Sequence, residues 1–494
     1  SSGCLAPEPT VNSGSSAGAK RLAEEAGFLI GGGVWSGIDL SVLFEHGHVK
    51  RHAVARGGTG DAGDLAAADV GRCPNEDGQL AIADTGLDGV GRYQLKITDD
   101  AHITQVTNSL DLETLYEWND DFQIVREISP LGRISLTDYD AEGRIVRKVA
   151  PGGGVTAYTF DARGDRTSMI SPGGGETRFE YDAFHQMIGV IDPAGHRWSR
   201  GFDAQGRLQE VKNPLGATFT FEHNRLGDLV RVVDPLGNGR RLEHSDVGDL
   251  ILETDWKGQV TRYEYDREGQ LEAMIDALGH RTEARRDGLG RVREIQLPDG
   301  ARRRYGWNVF DDLTEYVDEL GAVTRNRYSP CGNLVESIRP DGSKVTLRWS
   351  PLPGQLLQVT NDRGESYGFT WNSDGKLIGE RDFAGRTTGY EYGPDQSLVA
   401  RVDAAGRRTA LEHDLEGRLL RQVFDNGRVT TFGYDPRGLL IHADNGECRI
   451  ERELDAVGRL VLERQGEHVL EHEYDAAGCR VLRRSSLGHE TAFR

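Results

Sequence analysis

An all-β fold, an array of hairpins following one another along the chain, is what the sequence predicts, and three observations predict it. The motif aromatic-Asp-x-x-Gly-Arg-Leu returns every 21 residues. Glycine contributes 64 of the 494 residues, about twice the share in an ordinary globular chain, an excess that turns must absorb. Hydrophobic residues make up only 37%, and they fall in short period-two runs, the signature of strands with side chains on alternating faces.

The period is the strongest of the three. The motif reads Tyr139-Asp140-Ala-Glu-Gly143-Arg144-Ile145 and again Phe202-Asp203-Ala-Gln-Gly206-Arg207-Leu208. From a degenerate copy at Ile97-Thr98, its first position falls at 97, 118, 139, 160, 181, 202, 223, 244, 265, 286, 307, 328 and 349, then at 371, 392, 413, 434, 454 and 474, which makes 19 copies. Copies at His223, His244 and Arg286 keep the turn and lose the aromatic. A further copy at Asn75-Glu-Asp-Gly78-Gln-Leu80 fits the rhythm poorly, so the array is expected to start between 74 and 97.

Each repeat carries two turns. In the first, the Asp bonds forward to its own backbone and the Gly three residues later takes φ > 0. The second comes about a dozen residues after the aromatic, written Asn213-Pro214-Leu215-Gly216, Asp192-Pro193-Ala194-Gly195, Asp234-Pro235-Leu236-Gly237 or Arg339-Pro340-Asp341-Gly342; Pro presets φ there and Gly suits the last position. Runs such as Arg291-Val-Arg-Glu-Ile295 and Thr261-Arg-Tyr263-Glu-Tyr265 lie between the turns. The outgoing strand puts aromatic pairs on one face, among them Tyr158/Phe160, Phe179/Tyr181, Phe219/Phe221, Tyr263/Tyr265, Tyr390/Tyr392 and Phe432/Tyr434. Stacked along neighbouring hairpins, these rings are expected to form ladders, chiefly filling the one apolar layer and alternatively serving as a sugar- or peptide-stacking track.

Nineteen hairpins give 38 strands, a ribbon on the order of 180 Å wide at ~4.8 Å per strand. Twist and bulged turns must coil such a ribbon, and at a radius near ~30 Å it would complete roughly one turn as a spiralling, hollow β-shell, an incomplete cocoon. Low hydrophobic content fits a one-layer wall held by nearest-neighbour stacking.

The repeat resembles the YD repeat of the Rhs family. Tyr181-Asp182, Tyr265-Asp266, Tyr434-Asp435 and Tyr474-Asp475 match its name-giving dyad, and Gly143-Arg144, Gly206-Arg207, Gly417-Arg418-Leu419 and Gly458-Arg459-Leu460 match its Gly-Arg-Leu continuation. The resemblance covers about 400 residues and extends to Rhs polymorphic toxins, toxin-complex shells, wall-associated proteins and teneurins. It implies a hollow β-cocoon which, in the toxins, encloses a C-terminal effector released by an autoproteolytic segment. The rhythm places the next aromatic-Asp at 495, so the chain is expected to stop inside a repeat without an end cap. The family's closing Asp-Pro-x-Gly-Leu protease signature is not found. Asp192-Pro193-Ala194-Gly195 and Asp234-Pro235-Leu236-Gly237 look like it but occupy the ordinary second turn, so self-cleavage is not carried over.

Residues 1–73 are different material, Ser/Gly/Pro-rich to Ala17, with a short helical pattern from Lys20 to Phe28 and glycines at 57, 58, 60 and 63. This reads as an N-terminal linker segment ahead of an array over 74–494. The glycine run Gly31-Gly32-Gly33-Val-Trp-Ser-Gly37 lacks the dinucleotide-binding register. His46, His48 and His52 with Glu45 could supply metal ligands, but read better as solvated histidines beside Lys50 and Arg51. The chain begins with Ser and shows no signal peptide, the expectation for a fragment or processed chain; Ser-Ser-Gly-Cys4 is a poor lipoprotein site. Five separated cysteines, Cys4, Cys73, Cys331, Cys448 and Cys479, disfavour a disulfide framework and a zinc ribbon and suit folding in a reducing compartment. A net charge of −20, from 59 basic against 79 acidic residues, argues against nucleic-acid and anionic-membrane binding. No run reaches the ~18 apolar residues of a spanning helix.

The sequence therefore predicts no catalytic, cofactor-binding or metal-binding residues and no enzymatic activity. The leading functional expectation is the shell of an Rhs-type secreted toxin or effector, with a C-terminal toxin cargo and secretion machinery as partners. The alternative is a cell-surface adhesion protein binding glycans.

Overall fold

The structure, a computed structural model, describes residues 79–80, 94–98, 102–352 and 354–493. The predicted helix at 20–28, the glycine run at 31–37 and the histidines at 46, 48 and 52 lie outside the described residues. All secondary structure in the described residues is β: 40 strands in an open antiparallel sheet. At the N-terminal end Gln79–Leu80 pairs with Leu95 and Lys96 of Gln94–Thr98.

One repeat shows why the sequence folds this way. After Gly143-Arg144, the five-residue strand Ile145–Val149 runs to the second turn, and the six-residue strand Val155–Phe160 returns to the next aromatic. The strands meet in simple register across the second turn, Arg147 opposite Ala157 and Val149 opposite Val155. Across the aromatic-Asp turn the register slips by one residue, between Thr159 and Phe160, and likewise between Glu180 and Tyr181 and between Glu264 and Tyr265. One edge of the ribbon is thus bulged and the other is not. A bulge adds local twist and bend, so repeating it on a single edge coils the ribbon in one sense.

Both turns use the same hydrogen bonds. In the first, Asp203 Oδ1 accepts the N–H groups of Gln205 at 2.9 Å and Arg207 at 3.0 Å; Gly206 donates to the Asp203 carbonyl at 2.9 Å and has φ 79°. In the second, Asp192 Oδ1 accepts from Ala194 and His196 and Gly195 has φ 86°. His185, Gln396 and Phe122 hold the same left-handed position at φ 64°, 64° and 61°, a conformation a β-carbon disfavours.

The rest of the motif joins one repeat to the next. Arg207 donates from Nε to Asp203 at 2.7 Å and from Nη1 to the Asn224 carbonyl in the following turn, also at 2.7 Å. Arg291 does the same with Asp287 and the Asn308 carbonyl. The guanidinium also lies over the next ring, Arg144 on Phe160 and Arg459 on Tyr474, each 4.7 Å from the centroid, worth about 0.5–1 kcal/mol per contact. The ring's polar tip reaches back: Tyr265 and Tyr434 donate to the carbonyls of Leu250 and Leu419 at 2.9 Å, and Trp307 Nε1 to that of Val292 at 2.8 Å. Arginine and aromatic are therefore reciprocal staples between consecutive repeats.

The expected ring ladders take a different form. Successive aromatic-bearing strands are separated by one five-residue strand, so their rings lie about 9–10 Å apart, beyond aromatic contact. Arg166 bridges the gap between Tyr158 and Phe179, while ring pairs occur within a hairpin, as between Tyr305 and Tyr316 at 5.4 Å. Among the described residues no large side chain is fully buried, and the buried hydrophobic set is short: Tyr116, Tyr263, Ala273, Val345, Leu356, Val359, Phe369 and Ala400. A single layer with two exposed faces has no room for a thicker core. Burial, with the nearby Glu253 charge, pushes the Tyr263 phenol up to about 12, so it remains the donor toward Glu253.

The chain forms two compact units. One comprises the described part of Ser1–Thr137 with Arg348–Val359 and Ser366–Gly389; the other comprises Asp138–Leu347, Thr360–Glu365 and Tyr390–Arg494.

Candidate functional site: the seam where the array meets itself

At the turns Asn372–Gly375, Gly393–Gln396 and Asp414–Gly417 the third residue projects from one edge of the ribbon, and at Ser129–Gly132, Ala150–Gly153 and Ser171–Gly174 the third residue lies on the opposite edge. In the larger unit these edges meet. Glu416, third in Asp414-Leu-Glu416-Gly417, accepts the Gly173 N–H at 3.2 Å and the Ser171 hydroxyl, both in Ser171-Pro-Gly173-Gly174. One repeat earlier, Asp395 packs on Gly152 so closely that a β-carbon there would lie 2.1 Å from the Asp395 β-carbon. A β-carbon on Gly173 would come within 2.7 Å of Glu416 Oε1. The first glycine of each pair, Gly152 and Gly173, leaves room for the acid that faces it, while the second holds the turn's positive φ. In the smaller unit, the Asp374 carboxylate takes the Leu131 N–H at 3.1 Å and pairs with Arg133 at 3.0 Å, its side chain 2% exposed.

The chain separation is 243 residues from Leu131 to Asp374 and from Gly173 to Glu416, between eleven and twelve repeats of 21. The ribbon therefore returns on itself after about 23 strands, sooner than the single turn in 38 strands that the width arithmetic suggests. The bulge at each aromatic-Asp turn supplies the extra bend.

Further along the seam, Met169, Asp192, Pro193, Trp198, Arg437 and Val457 line a cavity of about 410 Å³. On one wall Arg437 donates to Asp435 at 2.7 Å and to the Asp455 carbonyl of the next aromatic-Asp turn at 2.9 Å. Burial raises the Asp395 carboxyl, but the Ser397 hydroxyl and N–H outweigh it and hold the group below the usual carboxylate range. Burial lowers the His413 imidazole, an effect that Asp395 and Asp414 partly offset.

The residues that look like a protease signature hold no unusual chemistry: Asp192 is engaged with the N–H groups of Ala194 and His196 and with His196 Nδ1 at 3.1 Å, and Asp234 likewise caps its own turn through Leu236 and Asn238. No group of His, Cys, Asp and Glu among the described residues is arranged to hold a metal. No helix among them is long and apolar enough to cross a membrane. The seam acids Asp374, Asp395 and Glu416 escape sequence reading, although their 21-residue spacing is visible, because their partners lie a full return away.

The teneurin YD-shell family matches residues 93–276, and the RHS repeat matches residues 413–447. The chain carries YD and RHS repeats over these residues. Among solved structures, TcdB2-TccC3-TEV resembles it with a TM-score of 0.58 at 15% identity, over 81% of this chain and 26% of that one. TcdB2-TccC3 matches at 12% identity over 88% of this YD-repeat chain and 32% of that one, with a TM-score of 0.49. The Photorhabdus luminescens Tc holotoxin pore matches at 12% identity over 81% and 31%, with a TM-score of 0.42. At such identity the first likeness speaks for the fold alone. The YD-repeat chain spans about a quarter of the length of that first relative. No curated protein matches it.

Proposed function

We propose that this chain is a non-catalytic shell segment of an Rhs-type secreted toxin or effector, whose task is to enclose a C-terminal toxin until delivery. The observation that carries this reading is the seam: a one-layer ribbon whose opposite edges are built to meet is suited to enclosing a space. The polar, arginine-stapled faces favour a mechanical role, and the YD-shell match and the toxin-complex likeness support it. Secretion machinery is the partner this role requires, and a secreted location follows from it.

The test is to append an unstructured, protease-sensitive reporter after Arg494 and digest the purified protein. Protection of the reporter, lost in a variant whose seam is opened by Gly173→Leu, supports enclosure. Equal digestion in both proteins contradicts it. Specific binding of the untagged chain to a glycan array would instead favour a cell-surface, carbohydrate-binding role.

A further inference from the structure

Across several aromatic-Asp turns the two strands share one ion pair, with the acid on the six-residue strand and the arginine on the five-residue strand. Glu117 pairs with Arg126 at 2.7 Å, Asp138 with Arg147 at 3.0 Å, Glu222 with Arg231 at 3.0 Å and Glu412 with Arg421 at 2.7 Å. One cation meets one carboxylate in each.

In three consecutive repeats of the larger unit the order is inverted. Glu294, Glu315 and Glu336 stand on the five-residue strands Val292–Gln296, Leu313–Val317 and Leu334–Ile338. Cations stand on the six-residue strands beside them: Glu294 lies opposite Arg285 and Arg304, Glu315 opposite Arg325, and Glu336 opposite Arg327. The paired strands run without a break from Arg281–Arg286 to Lys344–Trp349, so these side chains share one contiguous face. Arg285, Arg302 and Arg304 reach Glu294 at 3.9, 3.1 and 2.9 Å. Arg325 reaches Glu315 at 3.1 Å, and Arg327, at 3.5 Å, shares Glu336 with Lys344. Six cations thus meet three carboxylates on a chain whose net charge is −20.

Burial decides which sign solvent meets. Glu294 and Glu336 are 15% and 17% exposed, whereas Arg304, Arg325 and Arg327 are 60%, 63% and 66% exposed. Arg304 and Arg325 reach their carboxylates through Nε, which leaves the N–H groups of both terminal nitrogens for another acceptor. Arg302 and Arg304, like Arg325 and Arg327, are two residues apart on one strand, so each pair shares a face at a spacing of about 7 Å. Alternate side chains of any extended polypeptide have that same spacing, and the planar guanidinium fork suits a carboxylate.

We infer that this face, centred on Arg304, Arg325 and Arg327, binds an extended acidic polypeptide segment with Asp or Glu at alternate positions, laid along the strands. It involves none of the seam residues and does not depend on an enclosing role.

Fluorescence anisotropy of the full chain with two labelled peptides of equal Glu and Thr content tests this. One alternates Glu with Thr, and the other repeats Glu-Glu-Thr-Thr, which never places glutamates two residues apart. The alternating peptide should bind at least about threefold more tightly and weaken as salt is raised. Arg304→Gln, Arg325→Gln and Arg327→Gln together should weaken it at least about tenfold, with an unchanged thermal midpoint verifying the fold. The corresponding Lys variant, which keeps the charge, should lose less. Gln at Arg197, Arg408 and Arg421, which hold pairs elsewhere, should leave binding unchanged. No binding of the alternating peptide at low salt overturns the inference, and so does equal loss in the two Gln variants. Inorganic polyphosphate bound more tightly than the peptide, and lost in the same variant, would assign the face to a phosphate polymer and overturn it as well.

Discussion

Two pairs of second turns in the larger unit have the same backbone and different third residues. Ala150–Gly153 and Ser171–Gly174 end on glycines at φ 83°, and Asp276–Gly279 and Asp318–Gly321 end on glycines at φ 85° and 81°. In all four the last glycine donates to the carbonyl three residues back. Yet the first two turns carry Gly152 and Gly173 beneath Asp395 and Glu416 where the other two carry the exposed Leu278 and Leu320. The local code fixes the turn; glycine stands at the third position where the facing acid packs closest, at Asp395 and Glu416, whereas Leu131 lies beside Asp374 with its side chain half exposed.

The comparison is broken most severely by filling the covered turns. Gly152→Leu should cost about 3 kcal/mol, because the added atoms meet the Asp395 backbone and side chain and cannot be accommodated without moving a winding. Leu320→Ala, at a residue 93% exposed, should stay within about 0.5 kcal/mol. Urea unfolding of the two variants reads the difference, and equal midpoints would remove the basis of the contrast.

The staples within the ribbon come next. Arg291, with its side chain 9% exposed and bonded to Asp287, Asp311 and the Asn308 carbonyl, should lose about 2 kcal/mol on mutation to Ala. Arg386, 73% exposed and paired with Asp382 alone, should lose less than about 0.5 kcal/mol. Glu416→Ala frees the Ser171 hydroxyl and the Gly173 N–H and should cost about 1 kcal/mol. Its effect should disappear when the seam is already opened by Gly152→Leu, a coupling that a double-mutant cycle measures.

A smaller change should stabilise. His185 and Gln396 occupy positions that glycine fills elsewhere, so His185→Gly and Gln396→Gly should each raise stability by up to about 1 kcal/mol, less glycine's entropy cost. Thermal unfolding would register this as an upward shift.

The pH dependence should be the mildest effect near neutrality. Burial lowers His413, and burial with the Arg480 and Arg483 charges lowers His472. Histidines with depressed folded values bind a proton more readily when unfolded, so their contribution is present above about pH 6.5 and declines as pH falls through the range down to the folded values. The Arg207 N–H lowers Asp203 and the Arg407 side chain lowers Asp403. Their contribution is present above about pH 4 and is lost below it as they protonate. Stability should thus decline in two stages on acidification, and His413→Gln should flatten the first.

Turn chemistry, strand period and repeat spacing were legible in the sequence because each depends on residues a few positions apart: Asp203, Gly206 and Arg207 specify their own turn. The staples were half legible. The recurrence of Gly-Arg is plain, but that Arg207 bonds to the Asn224 carbonyl is visible only when consecutive hairpins are laid side by side. The seam was illegible because it pairs Gly173 with Glu416 through the pitch of the coil, which accumulates from many small bulge angles and appears in no local pattern. The width arithmetic erred for the same reason.

The coil itself is tested most directly by a cross-link. In a background with the five native cysteines replaced by Ser, Gly173→Cys with Glu416→Cys should form a disulfide on mild oxidation, seen as a mobility shift on a non-reducing gel. Gly173→Cys with Asp395→Cys, one repeat out of step, should not. A ribbon that did not return would hold residues 243 apart at a distance on the order of 100 Å, and failure of the first pair to cross-link in folded protein would contradict the seam and the enclosure that depends on it.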